Sequence, residues 1–200
     1  MQLGDDTERD RVSPSEWTAV ALGVYLPLSV GSLGWMVWSV GSMEAWNRIV
    51  GRTPSGALAL GIGLGLFLVL LTGLTTHYAE WGRRLEHAFA KFLGPLSVST
   101  CLALAAASAI GEELFFRGVL PPAIGLTWAT VLFGAIHIPA DRDMIPWPFF
   151  AAGAGALFGW AFLHTGGLLA PIAAHFVVNA INLTLMSRVA SRGLRPLSPG

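Results

Sequence analysis

Polar and apolar positions do not alternate along most of this chain. They separate into long apolar runs joined by short polar stretches. The runs extend from about Trp17 to Val40, Pro54 to Thr76, Ser97 to Leu120, Ala123 to Pro139, Pro146 to His164 and Gly167 to Met186. A helix rising 1.5 Å per residue needs about 20 apolar residues to cross a hydrocarbon core about 30 Å thick. The pattern therefore predicts an all-α fold, a polytopic transmembrane helix bundle with about six spans. Between the second and third runs, His77 to Leu93 mixes Glu80, Arg83, Arg84, Glu86, His87 and Lys91 with Leu, Phe and Trp. Such a segment is either an amphipathic helix lying in the interface or a polar loop. The organisation that follows is a polar amino-terminal segment over 1–16, a transmembrane domain over 17–186 and a flexible tail over 187–200.

Glycines refine this picture without adding chemistry. Gly61-Ile62-Gly63-Leu64-Gly65 has no strand before it and lies inside a uniform apolar run, so it reads as close helix packing rather than a nucleotide loop. Gly61 with Gly65, and Gly155 with Gly159, are four apart and let neighbouring backbones approach. No segment shows the strand-length alternation of a membrane β-barrel.

Composition agrees with a bilayer environment. The 200 residues are 54% hydrophobic and 12% charged, with a mean hydropathy of +0.61. Soluble domains carry about twice that share of charge. Basic and acidic residues balance at 12 each, and the polar segments are short, which argues against nucleic-acid binding. The first residues carry Asp5, Asp6, Glu8 and Asp10 beside Arg9 and Arg11, unlike the basic start of a signal peptide, so the first span is expected to remain. With six spans, Arg9, Arg11, Arg83, Arg84, Lys91, Arg142, Arg188, Arg192 and Arg195 fall on one side, and Arg48 and Arg52 on the other. The positive-inside rule then places both termini in the cytoplasm, with the lipid bilayer as an obligatory partner. Cys101 is the only cysteine and reads as a small core residue.

Against this background Glu112, Glu113 and Arg117 stand out. A charge near the middle of a membrane helix costs roughly 2.5 to 3.5 kcal/mol on insertion scales, so three within six residues need partners and a purpose. Glu113 and Arg117, four apart, share a helical face and read as a buried ion pair, whereas Glu112 is turned by about 100° and is left free to react. Further along, His137 and the pair His175 and Asn179, again four apart, are polar groups in apolar runs. Each alone has an ordinary structural explanation as a core histidine or interhelical hydrogen-bonding group. Together they offer a carboxylate base, two imidazoles and an amide, the parts needed to activate water and stabilise an oxyanion.

Glu112-Glu113-x-x-x-Arg117, then Phe133-x-x-x-His137, then His175-x-x-x-Asn179 resemble the three ordered motifs of the CPBP intramembrane proteases, the family of the Rce1-type CaaX prenyl endopeptidases and the bacterial Abi-like proteins. The resemblance covers about Leu96 to Leu185. It implies hydrolysis of a peptide bond in a membrane-associated protein or peptide, in a bacterial inner membrane. Within it, Glu112 is the general base, His137 helps to position the water, His175 and Asn179 donate to the oxyanion, and Glu113, Arg117 and Phe133 support the site. It implies no cofactor, with a zinc-dependent variant held by Glu112, His137 and His175 as the competing mechanism. The short chain is also similar to myxosortase-type members that process carboxyl-terminal sorting tails. A small transporter or immunity protein is the rival class, since intramembrane Glu and His also build proton relays. Helix lengths put the reactive centre near the midplane, leaning towards the non-cytoplasmic side.

Overall fold

The computed structural model describes residues 14–193. Most of the segment read as the cytoplasmic amino terminus, and the tail beyond residue 193, lie outside the described residues. Among those described, the chain forms α1 (Pro14–Val40), α2 (Ser42–Val50), α3 (Pro54–Tyr78), α4 (Glu80–Leu93), α5 (Val98–Glu113), α6 (Pro121–Ala135), α7 (Pro146–Thr165) and α8 (Leu169–Ser191). A π-helical turn, Leu114–Val119, continues α5, and a short 3-10 turn, Arg142–Met144, precedes α7. The polytopic helical bundle expected from the apolar runs is the fold observed.

Contacts at the helix ends establish how the chain is threaded. At one end the Trp17 ring packs edge-on to Phe92 at 5.4 Å, and Phe89 does the same to Trp147 at 4.9 Å. There too the Ser187 hydroxyl accepts from Leu96 N at 2.6 Å and donates to Leu96 O at 2.9 Å. At the other end Leu168 N donates to Arg48 O at 2.9 Å and Arg52 N to Thr165 O at 3.2 Å. The start of α1, all of α4, the start of α7 and the end of α8 thus share one end of the bundle. Arg83, Arg84, Lys91, Arg142, Arg188 and Arg192 gather at that end, whereas Arg48 and Arg52 lie at the opposite one.

Among the described residues, five helices are long and apolar enough to cross a membrane, where the sequence pattern suggests six. The exception is α6, whose 15 residues reach only about 22 Å. Gly125, at φ 79° and ψ 154°, breaks its helical geometry, and the chain leaves the helix at Ile136, before the Pro139 that ends the apolar run. The segment still passes from the Pro121 end towards Trp147, so the ends of the described chain emerge together.

Two further differences have simple causes. α2 is a short amphipathic helix in what reads as the first loop; its Glu44–Arg48 pair at 3.2 Å faces outward while Ala45 is buried against Met36, Leu114 and Leu168. α8 continues through Ser191, five residues into the segment read as a flexible tail, because Ser187 is buried and tied to Leu96. The ambiguous segment between the second and third spans is the helix α4, with Gly82, Ala90 and Leu93 buried beneath an exposed face that carries Glu80 and Arg84.

α8 runs through the centre, between α3 and α5. A Cβ on Gly61 would lie 2.4 Å from Ala170 O and one on Gly65 would lie 2.6 Å from Val177 Cβ, distances no real side chain tolerates. The glycine pair is therefore the contact surface of α3 on α8, as its spacing suggests. This contact fixes the wall that faces α5.

Candidate active site

The buried charges meet where α5 faces α8. Ala105, Ala109 and Gly111 keep α5 thin, and a Cβ on Gly111 would already press on Tyr25 O and Ser29 Oγ of α1 at 3.2 Å. From Leu114 the helix widens into its π turn, with Leu120 N donating to Phe115 O five residues back. Such insertions recur at functional sites because they re-aim side chains within one helix. Here the turn begins immediately after Glu113.

Glu113 is fully buried and forms the hub. Its Oε1 accepts from Arg117 Nη1 at 2.8 Å and from His175 Nδ1 at 2.9 Å. Arg117 also donates to Gly155 O at 2.9 Å, and its guanidinium lies 4.5 Å from the centre of the Phe133 ring and 5.6 Å from that of Phe158. Phe158 stacks on His175 at 5.3 Å with 23° between the planes. The charge on Arg117 is thus met by a carboxylate, a carbonyl and two aromatic faces, which is how a buried guanidinium is made tolerable. Gly155 is required at its position: a Cβ would lie 2.9 Å from Phe133 and 3.1 Å from Arg117 Nη2.

Glu112 has the opposite environment. It is 7% exposed, and its buried Oε2 has no hydrogen-bond partner among the described residues. That oxygen lies 4.0 Å from His175 Nε2. Because Glu113 accepts from the other ring nitrogen, the imidazole is held with Nε2 turned towards Glu112. Tyr25 faces Glu112 from α1, and both line a cavity of about 340 Å³.

His137 and Asn179 line the same cavity. His137 sits in the turn that follows α6, half-buried, donating from Nδ1 to Phe133 O at 2.5 Å with its ring edge-on to Trp147 at 5.0 Å. This leaves Nε2 as the ring nitrogen without a partner on α6. Asn179 donates from Nδ2 to Ser108 Oγ at 3.0 Å, and the Ser108 hydroxyl donates in turn to Ala105 O at 3.3 Å. The shared face of His175 and Asn179 is therefore divided: the ring lies between two carboxylates, while the amide reaches across to α5. All seven sequence-derived residues, Glu112, Glu113, Arg117, Phe133, His137, His175 and Asn179, contribute to this one region.

Tyr25, Ser108 and Gly155 belong to the site and carried no functional signal in the sequence. The spacing of Gly155 and Gly159 pointed only to close helix approach, whereas Gly155 makes room for a guanidinium and a phenyl ring. His77 and His87 border a separate hollow at the α4 end with Arg83 and Glu86. Glu86 lines both spaces, and burial pushes its carboxyl above the usual range, with neighbouring His87 opposing.

No three His, Cys, Asp or Glu side chains among the described residues come together as metal ligands do. The Glu112, His137 and His175 set thus does not assemble around a common point here, and a tetrahedral zinc site would need such convergence.

The depth of the reactive groups and the direction of the cavity differ. Glu112 lies about 21 Å along α5 from Val98, and His175 about 9 Å along α8 from Leu169, so the reactive groups are nearer the Arg48 and Arg52 end. The cavity nevertheless runs the other way, past Asn182 and Phe89 to Trp17, Trp81, Phe92 and Met186, at the end where the described chain begins and finishes. Axial depth says where the site is and nothing about which helices part to admit a substrate.

Residues 94–181 match the family model described as type II CAAX prenyl endopeptidase Rce1-like. The chain is also similar to an uncharacterized protein, YpbD, of Bacillus subtilis, at 33% identity over 93 residues, covering 46% of this chain and 48% of the relative. It thus spans about half the length of the curated relative it matches. No solved structure matches. The matched segment contains Glu112, Glu113, Arg117, Phe133, His137, His175 and Asn179, so the part of the chain that builds the site is the part similar to the Rce1-like CAAX prenyl endopeptidases.

Proposed function

We propose that this protein is an intramembrane endopeptidase that hydrolyses a peptide bond in a membrane-associated protein or carboxyl-terminal tail, with water activated by Glu112. The observation that carries the reading is the place of Glu112 on the cavity wall, with its Oε2 4.0 Å from His175 Nε2 and without a hydrogen-bond partner among the described residues; Glu113 Oε2 also has none, but Glu113 does not line the cavity. A buried carboxylate oxygen without a partner is costly, and such costs concentrate where chemistry requires them.

In the reaction, Glu112 accepts a proton from water as the water oxygen attacks the scissile carbonyl carbon. Water has two hydrogens: one goes to Glu112 and the other to the Nε2 lone pair of His137, which orients it. The remaining Asn179 N–H donates to the oxyanion; His175, whose Nδ1 hydrogen is taken by Glu113, has no second N–H to offer as a neutral ring, so the oxyanion role expected for it passes to Asn179 and it serves to fix Glu112 from beside Oε2. Collapse of the tetrahedral intermediate breaks the C–N bond, and Glu112 returns its proton to the leaving amine. Removing one oxyanion donor in other enzymes costs about 100- to 1000-fold in rate. Glu113 and Arg117 act through His175, which they hold in place.

The reaction as written needs no metal, because each step is carried by Glu112, the histidines and Asn179. The gathering of cationic side chains at one end supports cytoplasmic termini in a bacterial inner membrane. Under that orientation the cavity opens to the cytoplasm. Processing of a carboxyl-terminal sorting tail is one reaction of this kind.

The test compares membrane proteomes of cells carrying the parent chain or its Glu112→Gln variant. A membrane protein whose terminus is shortened only by the parent is the expected result, reproduced by purified protein with far less than one zinc per chain and unchanged by chelator. Equal processing by both chains would overturn the glutamate mechanism, and activity that follows the removal and return of stoichiometric zinc would transfer Glu112, His137 and His175 to ligand roles.

A further inference from the structure

Below the site, α8 carries a second asparagine. Asn182 is three residues past Asn179 and seven past His175, so all three share a helical face, and Asn182 lies about 10 Å closer to the mouth than His175. It lines the same cavity, which Thr72 of α3 borders opposite Ser108 of α5.

The hydroxyl of Thr72 lies 2.8 Å from Val69 O and 3.2 Å from the side-chain amide of Asn182, whose oxygen end is turned to it. A hydroxyl has one hydrogen and two lone pairs. The 2.8 Å contact joins it to a carbonyl, which only accepts, so the hydrogen is used there. Thr72 Oγ1 can then meet Asn182 only as an acceptor, which requires the amide to present Nδ2; the two ends of an amide are assigned by this kind of reasoning. Oδ1 is left facing the cavity. The arrangement repeats that of Asn179, whose Nδ2 donates to a serine hydroxyl already donating to its own helix.

Two anchored amides on one face, a short distance apart along a mostly apolar cavity, suit a ligand that carries hydrogen-bonding groups at regular intervals. An extended polypeptide is such a ligand, and its main-chain groups need partners once it leaves water. We infer that Asn182, positioned by Thr72, is a main-chain-binding subsite that accepts a hydrogen bond from a substrate backbone N–H about three residues from the scissile bond, at about 3.3 Å of extended chain per residue. Specificity at this point is for an extended backbone rather than a particular side chain. The inference rests on the proposed protease reading for the location of the scissile bond, and on the hydroxyl hydrogen count for the rest.

The experiment uses a pool of internally quenched peptides in detergent, with the best peptide remade with single amide-to-ester replacements on either side of the cleaved bond. Each ester removes one N–H. In the parent, one ester about three residues from the bond should raise KM about tenfold, the value of one hydrogen bond at a buried site, with little change in kcat. Asn182→Ala and Thr72→Val should raise KM similarly for the all-amide peptide and lose the ester effect, and Thr72→Ser should restore both. Binding of the same labelled peptides to the Glu112→Gln chain, read by anisotropy, gives the comparison without hydrolysis. Asn182-dependent binding without cleavage by the parent would leave the subsite standing and remove the protease reading. Cleavage and binding indifferent to Asn182→Ala, or an ester effect that survives it, would overturn the subsite.

Discussion

The two faces of α5 around Glu112 and Glu113 show how adjacent identical residues reach different fates. On the packed face, Glu113 Oε1 takes hydrogen bonds from Arg117 and His175 while its Oε2 has no partner among the described residues, and Phe133, Gly155 and Phe158 close around the Arg117 guanidinium. On the cavity face, Glu112 has an imidazole nitrogen at 4.0 Å and open space beside it. Burial is similar in the two cases; partnership is not. One carboxylate has an oxygen held by two donors of the protein, and the other borders the cavity, which is where the proposed reaction places its base.

Breaking the packed face should have the largest effect on stability. Glu113→Ala strands Arg117 in a low-dielectric interior and releases the His175 ring, a change of the kind that costs about 3 to 5 kcal/mol. The expected outcome is a large drop in thermal stability in detergent together with loss of activity; a melting temperature equal to the parent's would contradict the hub assigned to Glu113. Gly155→Ala should cost less, about 1 to 3 kcal/mol, since Phe133 and Arg117 must shift by a few tenths of an ångström to admit a methyl group. Calorimetry or a thermal-shift series would measure it, and an unchanged transition would show that the space is larger than the contacts indicate.

The smallest expected effect sharpens the comparison at the cavity mouth. Burial raises the carboxyl of Glu86 above its ordinary 4.5, so the folded protein holds that proton more tightly than the unfolded chain. For a raised acid the sign is that stability is greatest below this value and falls as pH rises through the folded-state value. Glu86→Gln should therefore leave stability at pH 4 nearly unchanged and raise it slightly at pH 7. Equal effects at the two pH values would assign the change to packing instead of charge.

The pairing of side chains along one helix was more legible in the sequence than the assembly of the helices. Spacing along one helix is enough to pair Glu113 with Arg117 and to turn Glu112 away from them, because helical geometry fixes the direction of each side chain. It says nothing about which helix stands opposite, so Ser108 beneath Asn179, Thr72 beneath Asn182 and Gly155 beneath Arg117 appear only in three dimensions. α6 was overestimated for a related reason: apolar composition continues to Pro139, while Gly125 and the turn at Ile136 shorten the helix itself. The direction of the mouth depends on how α4 lies across the ends of α3 and α8, a tertiary feature with no counterpart in hydropathy.

The most direct test is to make Glu112→Gln and Glu113→Gln as a pair and measure folding and turnover for both. Glutamine keeps the shape of either side chain and removes the charge. The account predicts that Glu112→Gln keeps the parent's thermal stability and loses about 100- to 10,000-fold in cleavage rate, the range typical of a general base, while Glu113→Gln loses stability as well as activity. A stable Glu112→Gln chain that cleaves at the parent's rate would contradict it.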